Sequence, residues 1–206
     1  GYRCIHVFDW DDWESILELL LPRKRLYARK CRVQKVDKKT ADEFTAMNHL
    51  SGKCNGQNIN YGLYYDDELV EVMTFGKPRY NKKYDLELLR LCTSKGVEVV
   101  GGASKLFKAF CKDHKDLSII SYCDLSKFTG FVYEKIGMKL SYVTPPAKIW
   151  SKGSKKITDN LLRQRGYDQL FNANYGKGTS NEQLMLENGW LPVYDCGQKV
   201  FIYNIK

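Results

Sequence analysis

The sequence predicts an α/β (α+β) domain, and three segments carry that expectation. INYGLYY (59–65) and LVEVMTFG (69–76) alternate in period two around Asp66-Asp67-Glu68, the pattern of a hairpin. VVGGASKLFKAF (99–110) runs from a β-branched pair through three small residues into an amphipathic helix. SIISYCD (118–124) is a continuous apolar run of the kind that forms a strand buried on both faces.

The remaining elements follow along the chain. CIHVF (4–8) reads as a strand and DWDDWESILELLL (9–21) as an acidic helix stopped by Pro22. Residues 1–30, with a basic linker, are too short to form a domain. Residues 31–37 alternate as the first strand of the next unit. Thr40–Asn48 is a helix, with Thr40 as N-cap and Glu43 at the capping-box spacing. A polar loop, SGKCNGQN, leads into the hairpin. A strand over 85–93 precedes the small-residue turn and a helix over 101–114. A short helix over 129–137 and a strand, MKLSYV, close a domain spanning 31–150. The Lys/Gly-rich KIWSKGSKK marks its boundary. Beyond it, a C-terminal extension over 151–206 holds helices near 158–170 and 180–188. Its final hairpin, LPVYDCGQKVFIYN, turns at Asp195-Cys196-Gly197.

Composition narrows the function classes. A net charge of +9 and a pI of about 9.1 favour a polyanionic partner. The charge gathers in PRKRLYARKCR and KPRYNKK, which interleave cations with tyrosine. Arg23, Lys24, Arg25, Arg29, Lys77, Arg79, Lys82 and Lys83 are the expected DNA contacts, with solvated loops as the alternative. No apolar run reaches the roughly 18 residues that suggest a membrane span. The opening residues resemble no secretory leader and lack an initiator Met, which suggests a fragment or a processed chain. Seven cysteines without a C-x-x-C pair point to a reducing cytoplasm and give no zinc spacing. Trp10, Trp13, Trp150 and Trp190 are read as packing residues.

The small-residue turn leaves backbone N–H groups free at a helix N-terminus, where an anion can be held. Val100, Gly101, Gly102, Ala103, Ser104 and Lys105 are the candidate residues; Ser104 and Lys105 can equally cap and solvate the helix. Arg90 on the strand over 85–93 and Asp124 at the end of the next are candidates to orient an anion and to accept a proton. The alternative is a structural ion pair between them. Glu87 points opposite to Arg90 on a regular strand, so they share a site only across a bulge. His49 has the ordinary near-neutral titration suited to proton transfer.

The order of these elements resembles the GNAT acetyltransferase superfamily. The matching parts are the hairpin, the strand entering V-V-G-G-A-S, the strand SIISYCD and the helix ending FVYEKIGMK. That resemblance implies a mixed, mostly antiparallel sheet flanked by helices, an acyl-CoA or related donor between two splayed strands, and a role for Tyr133 in reprotonating the leaving thiolate. Glu98 stands where the family's phosphate signature has Arg or Gln. NHLSGKC…YGLYYDDELVEVMTFG…LELLRL…ISYCD…TGFVYEKIG resembles the Mom-type DNA-modification proteins of phages, a divergent GNAT branch. His49, Tyr61, Glu87, Arg90 and Asp124 fall on its motifs. This implies DNA as partner and transfer of an acyl or carbamoylmethyl-type group to a base, in the cytoplasm of an infected host. The ends resemble phage Hef-like homing endonucleases, whose nuclease carboxylates would precede residue 1. The other readings are a non-catalytic DNA-recognition module and a small-molecule or protein N-acetyltransferase.

Overall fold

In the computed structural model of the protein, residues 24–159, 161–162 and 180–205 are described, with Leu17. The expected strand and helix over 1–21, Trp10, Trp13, Arg23 and most of the helix over 158–170 lie outside them.

A seven-stranded mixed sheet organises the chain. Its strands are β2 (Arg32–Lys35), β3 (Gln57–Tyr65), β4 (Glu68–Gly76), β5 (Leu86–Thr93), β7 (Ser118–Asp124), β8 (Lys139–Val143) and β12 (Gln198–Asn204), in the order β2-β3-β4-β5-β7-β12-β8. Only the β5–β7 pair is parallel. The β3–β4 hairpin forms as expected, and Asp66 and Asp67 adopt the left-handed backbone of a tight twisted turn.

Helices α1 (Lys38–Asn48) and α2 (Gly102–Asp113) cover opposite faces of the sheet. The period of two on β4 decides the partners: Val72 packs with Ala41 and Phe44 of α1, while Met73 and Phe75 pack with Leu106, Phe107 and Phe110 of α2. The Phe75 and Phe110 rings stack at 3.7 Å between centroids. The N-cap of α1 lies three residues earlier than in the capping-box reading. Asp37, not Thr40, is its N-cap, and accepts from both the Thr40 backbone N–H and hydroxyl. A carboxylate competes well for this place because it meets the free amides and the positive helix end together. A short helix, α3 (Phe131–Lys135), follows β7.

Two expectations give way to tertiary pairing. Part of the basic stretch read as a linker is a strand, β1 (Lys24–Tyr27), paired in parallel with β6 (Val97–Val100). The terminal hairpin does not form. Its first arm, β11 (Leu191–Tyr194), pairs with β9 (Lys148–Lys152), which also pairs with β10 (Lys155–Thr158). Its second arm is β12, inserted between β7 and β8. An inner slot of a sheet satisfies both edges of a strand, and the apolar Val200 and Phe201 are fully buried there. Trp150 and Trp190 pack with Leu162, Leu184 and Met185 in a separate small core. The last two belong to α4 (Asn181–Glu187), capped by Ser180.

Candidate functional site

The site exists because β5 and β7 part. They pair only at Leu86↔Ile119 and Glu87↔Ile120, although both strands run on. A bulge in β5 begins the separation: Thr74 of β4 faces Arg90 and Phe75 faces Leu88, so Leu89 is the extra residue. The Ser121 hydroxyl donates to the Leu88 carbonyl at 2.9 Å and spans the widening gap. Beyond it the cleft opens into two cavities that share His49, Leu91, Phe128, Phe131 and Val132 as walls.

The first cavity, of about 520 Å³, is lined by Arg90, Asp124, His49, Tyr133, Lys127 and Arg79, among others. Arg90 and Asp124 do share a chamber, and no salt bridge joins them among the described residues. The Arg90 guanidinium donates to the Gly52 carbonyl (3.1 Å) and to its own neighbour's, Leu89 (2.9 Å). It is thus oriented by dipoles and keeps its charge for an anion. Asp124 uses Oδ1 to accept from the Ser126 N–H and hydroxyl, which folds the turn after β7 and fixes the carboxylate at the cavity wall.

Three expectations are corrected here. Glu87 does not line the cavity. It is fully buried and is gripped by Arg79, whose backbone N–H meets one oxygen and whose guanidinium meets the other at 2.6 and 2.9 Å. Its role is to hold Arg79 and the loop 77–85. His49 is a poor base. Burial, with Arg90 and Lys127 nearby, lowers it to about 4. Its Nδ1 lone pair is occupied by the Ser51 N–H at 3.0 Å, so the neutral ring carries its proton on Nε2. Lys105 turns away from the helix end: its ammonium caps the Ala28 and Cys31 carbonyls at 2.9 and 2.5 Å.

Tyr133 stacks on Phe201 at 4.9 Å. Burial pushes its hydroxyl up to about 12, so it holds its proton at neutral pH and suits an acid rather than a base.

The second cavity, of about 830 Å³, lies at the α2 N-terminus. Val100, Gly101, Gly102, Ala103 and Ser104 form one wall. Gly101 is the N-cap at φ 81°, a conformation that suits glycine and turns the following amides toward the cavity. Glu98 also lines it, but Arg25 pairs with Glu98 at 2.7 Å. The acid that stands in the family's cationic position is therefore met by a cation from the preceding strand. Glu71, missed in the sequence, reaches the same wall and is buried. Its signal was present: it shares the inward parity of Met73 and Phe75, where an apolar residue is expected.

The basic residues divide. Lys24 lies over the Tyr65 ring and Arg29 over Tyr27, on the β1–β6 side with Arg25. Lys82 and Lys83, from the loop after β4, line a third, open groove of about 960 Å³ with Tyr80, Tyr122 and Tyr142. That groove joins the first cavity through Tyr80, Tyr122 and Gln198. Lys77 is exposed nearby, and Lys82 donates to the Pro78 carbonyl.

No protein-family model matches the chain, and no curated protein matches it. Solved structures do. A Bacillus subtilis acetyltransferase in complex with CoA is similar over 86% of this chain and 100% of its own, with a TM-score of 0.50 at 14% identity. A putative acetyltransferase from Salmonella typhimurium with acetyl-CoA covers 86% of this chain and 95% of its own, with a TM-score of 0.49 at 10% identity. A GNAT-family acetyltransferase from Bacillus cereus covers 85% and 98%, with a TM-score of 0.46 at 11% identity. With its mixed sheet, parted parallel pair and helix-capping glycine turn, the chain has the GNAT acetyltransferase fold.

Proposed function

We propose that the protein is a group transferase that takes an acyl-type group from a CoA thioester and passes it to an acceptor in the Arg90 cavity. One observation carries this reading: the bulged β5 leaves β7 after two residue pairs and opens a cleft with an amide-lined chamber on one side and a charged chamber on the other. The residues fit such a donor. Gly101, Gly102, Ala103 and Ser104 offer backbone N–H groups at the positive end of α2 for a pyrophosphate. The splayed strand edges expose unpaired backbone groups for an amide-bearing arm. When bound, the thioester supplies an activated carbonyl. Asp124 is placed to take a proton from the acceptor nucleophile, and Tyr133 to give one to the departing sulfur. Arg90 and Lys127 favour an acceptor that carries negative charge near its nucleophile.

The acceptor we infer is a nucleic-acid base. The groove of Tyr80, Tyr122, Tyr142, Lys82 and Lys83 supports it, because rings offer stacking surfaces and lysines neutralise phosphate. Its opening into the Arg90 cavity leads a bound strand toward the parted strands. The test is incubation with acetyl-CoA and DNA, followed by mass spectrometry of digested nucleosides. A new modified nucleoside supports the reading. DNA binding without acetyl-CoA binding favours a recognition module. Acetylation of small amines or peptides with DNA untouched favours an ordinary N-acetyltransferase.

A further inference from the structure

The donor-side cavity contains a buried acid that the transfer reaction as described leaves unused. Glu71 projects from β4 beneath the first turn of α2. It is 3% exposed, and its Oε2 has no hydrogen-bond partner among the described residues. A Cβ built on Gly102 would fall on this carboxyl group, so glycine at 102 leaves it the room to reach the helix end. A helix N-terminus already positive by its dipole would hold a phosphate more strongly without a carboxylate behind it. The acid must therefore contribute in its neutral form or weaken the site.

We propose that Glu71 is the proton-carrying hydrogen-bond donor of this cavity, neutral whenever phosphate occupies the α2 N-terminus. This deepens the reading of the cavity as a thioester-donor site and rests on it. A neutral carboxyl carries one O–H donor, which a phosphate or amide oxygen can accept. An ionised carboxylate in the same place would repel the ligand across a low-dielectric gap. Ligand binding therefore selects the protonated acid, and where free Glu71 is ionised, binding draws a proton from solution.

Several ionisable groups lie near Glu71. Burial alone raises Glu71 to about 8. Cys92 on β5 is pushed by burial up to about 12, and burial likewise raises Cys31, beside the β1 end. His49, at about 4, is already neutral. Glu98 on β6 is paired with Arg25, and the Lys105 ammonium is held by the Ala28 and Cys31 carbonyls. Lys135 of α3 is the only lysine or arginine among the described residues lining the cavity.

The experiment is calorimetric titration of the protein with acetyl-CoA from pH 6.5 to 9.5, in buffers of differing ionisation heat. One linked proton gives a loss of affinity approaching about tenfold per pH unit above pH 8. Proton uptake should approach one per site at the upper end. Glu71→Gln, which keeps a donor without the charge, should lose the slope. Zero proton uptake by the parent protein at pH 9 overturns the inference without any variant. Parallel pH profiles for parent and Glu71→Gln also overturn it. Absence of acetyl-CoA binding at every pH sinks the donor reading itself, and this inference with it.

Discussion

The two chambers of the cleft are built from different materials. The α2 side is built mainly from backbone: glycines and amides at the helix start, with one buried acid. The Arg90 side is built from side chains: a guanidinium held by two carbonyls, a carboxylate fixed by a turn, and a tyrosine that keeps its proton. Backbone recognition tolerates changes of side chain but fails when an atom is added. Side-chain recognition fails when an atom is removed. The contrast suits a site in which the donor is common to many reactions and the acceptor is particular to one.

Perturbing the two sides should therefore break the protein in different ways. The largest effect is expected at Glu71. Its folded form holds a proton until about pH 8, whereas the unfolded chain releases it near 4.5. Its contribution is complete below the unfolded value and falls away as pH rises toward 8. Linkage over that interval amounts to on the order of 5 kcal/mol. Thermal melts of the parent should drop by roughly 10 °C between pH 5 and pH 8.5. Glu71→Gln should remove most of that slope, and an unchanged slope would assign it to other groups.

Gly102→Ala comes next. The added methyl meets the Glu71 carboxyl, and such overpacking costs about 3 kcal/mol. Acetyl-CoA binding should fall with stability. Glu71→Ala in the same chain should restore part of both, since the clash and its relief are coupled. Independent, additive losses would separate the glycine from the acid.

On the other side, Arg90→Ala should slow transfer by about 100-fold while acetyl-CoA affinity stays within a few-fold. Equal loss of donor binding would erase the division between chambers. Tyr133→Phe removes only the hydroxyl; kcat should fall about tenfold with KM little changed, and the alkaline limb of the pH–rate profile should move. A retained kcat would leave Tyr133 as packing against Phe201. The smallest effect is expected from Lys82→Ala with Lys83→Ala. The slope of log affinity for DNA against log salt should flatten by up to about 2. A constant slope would take the tyrosine groove out of the DNA interface.

Much of the site was visible in one dimension. The glycine turn announced itself by composition. Strand order placed Arg90 and Asp124 near each other, and the three-residue spacing of Glu87 and Arg90 marked the bulge as the feature that would realign them. Glu87 shows the limit. The sequence offers Glu87 as a site residue beside Arg90 only across a bulge, yet its partner is Arg79, which a loop folds back onto it. His49 shows another: its titration depends on burial and on Arg90 and Lys127, which come from distant parts of the chain.

By itself the sequence determined what short-range physics controls: the period of two in β3 and β4, the amphipathic stripe of α2, the tight Asp66-Asp67 turn, and the positive charge. Only the tertiary structure decided which edges pair and which charges meet. It placed β12 between β7 and β8 rather than beside β11, joined β1 to β6, and set Arg25 against Glu98. Strand pairing and ion pairing depend on distance in space, and the energy of a slot, a buried acid or a cleft belongs to neighbours that the order of residues does not name.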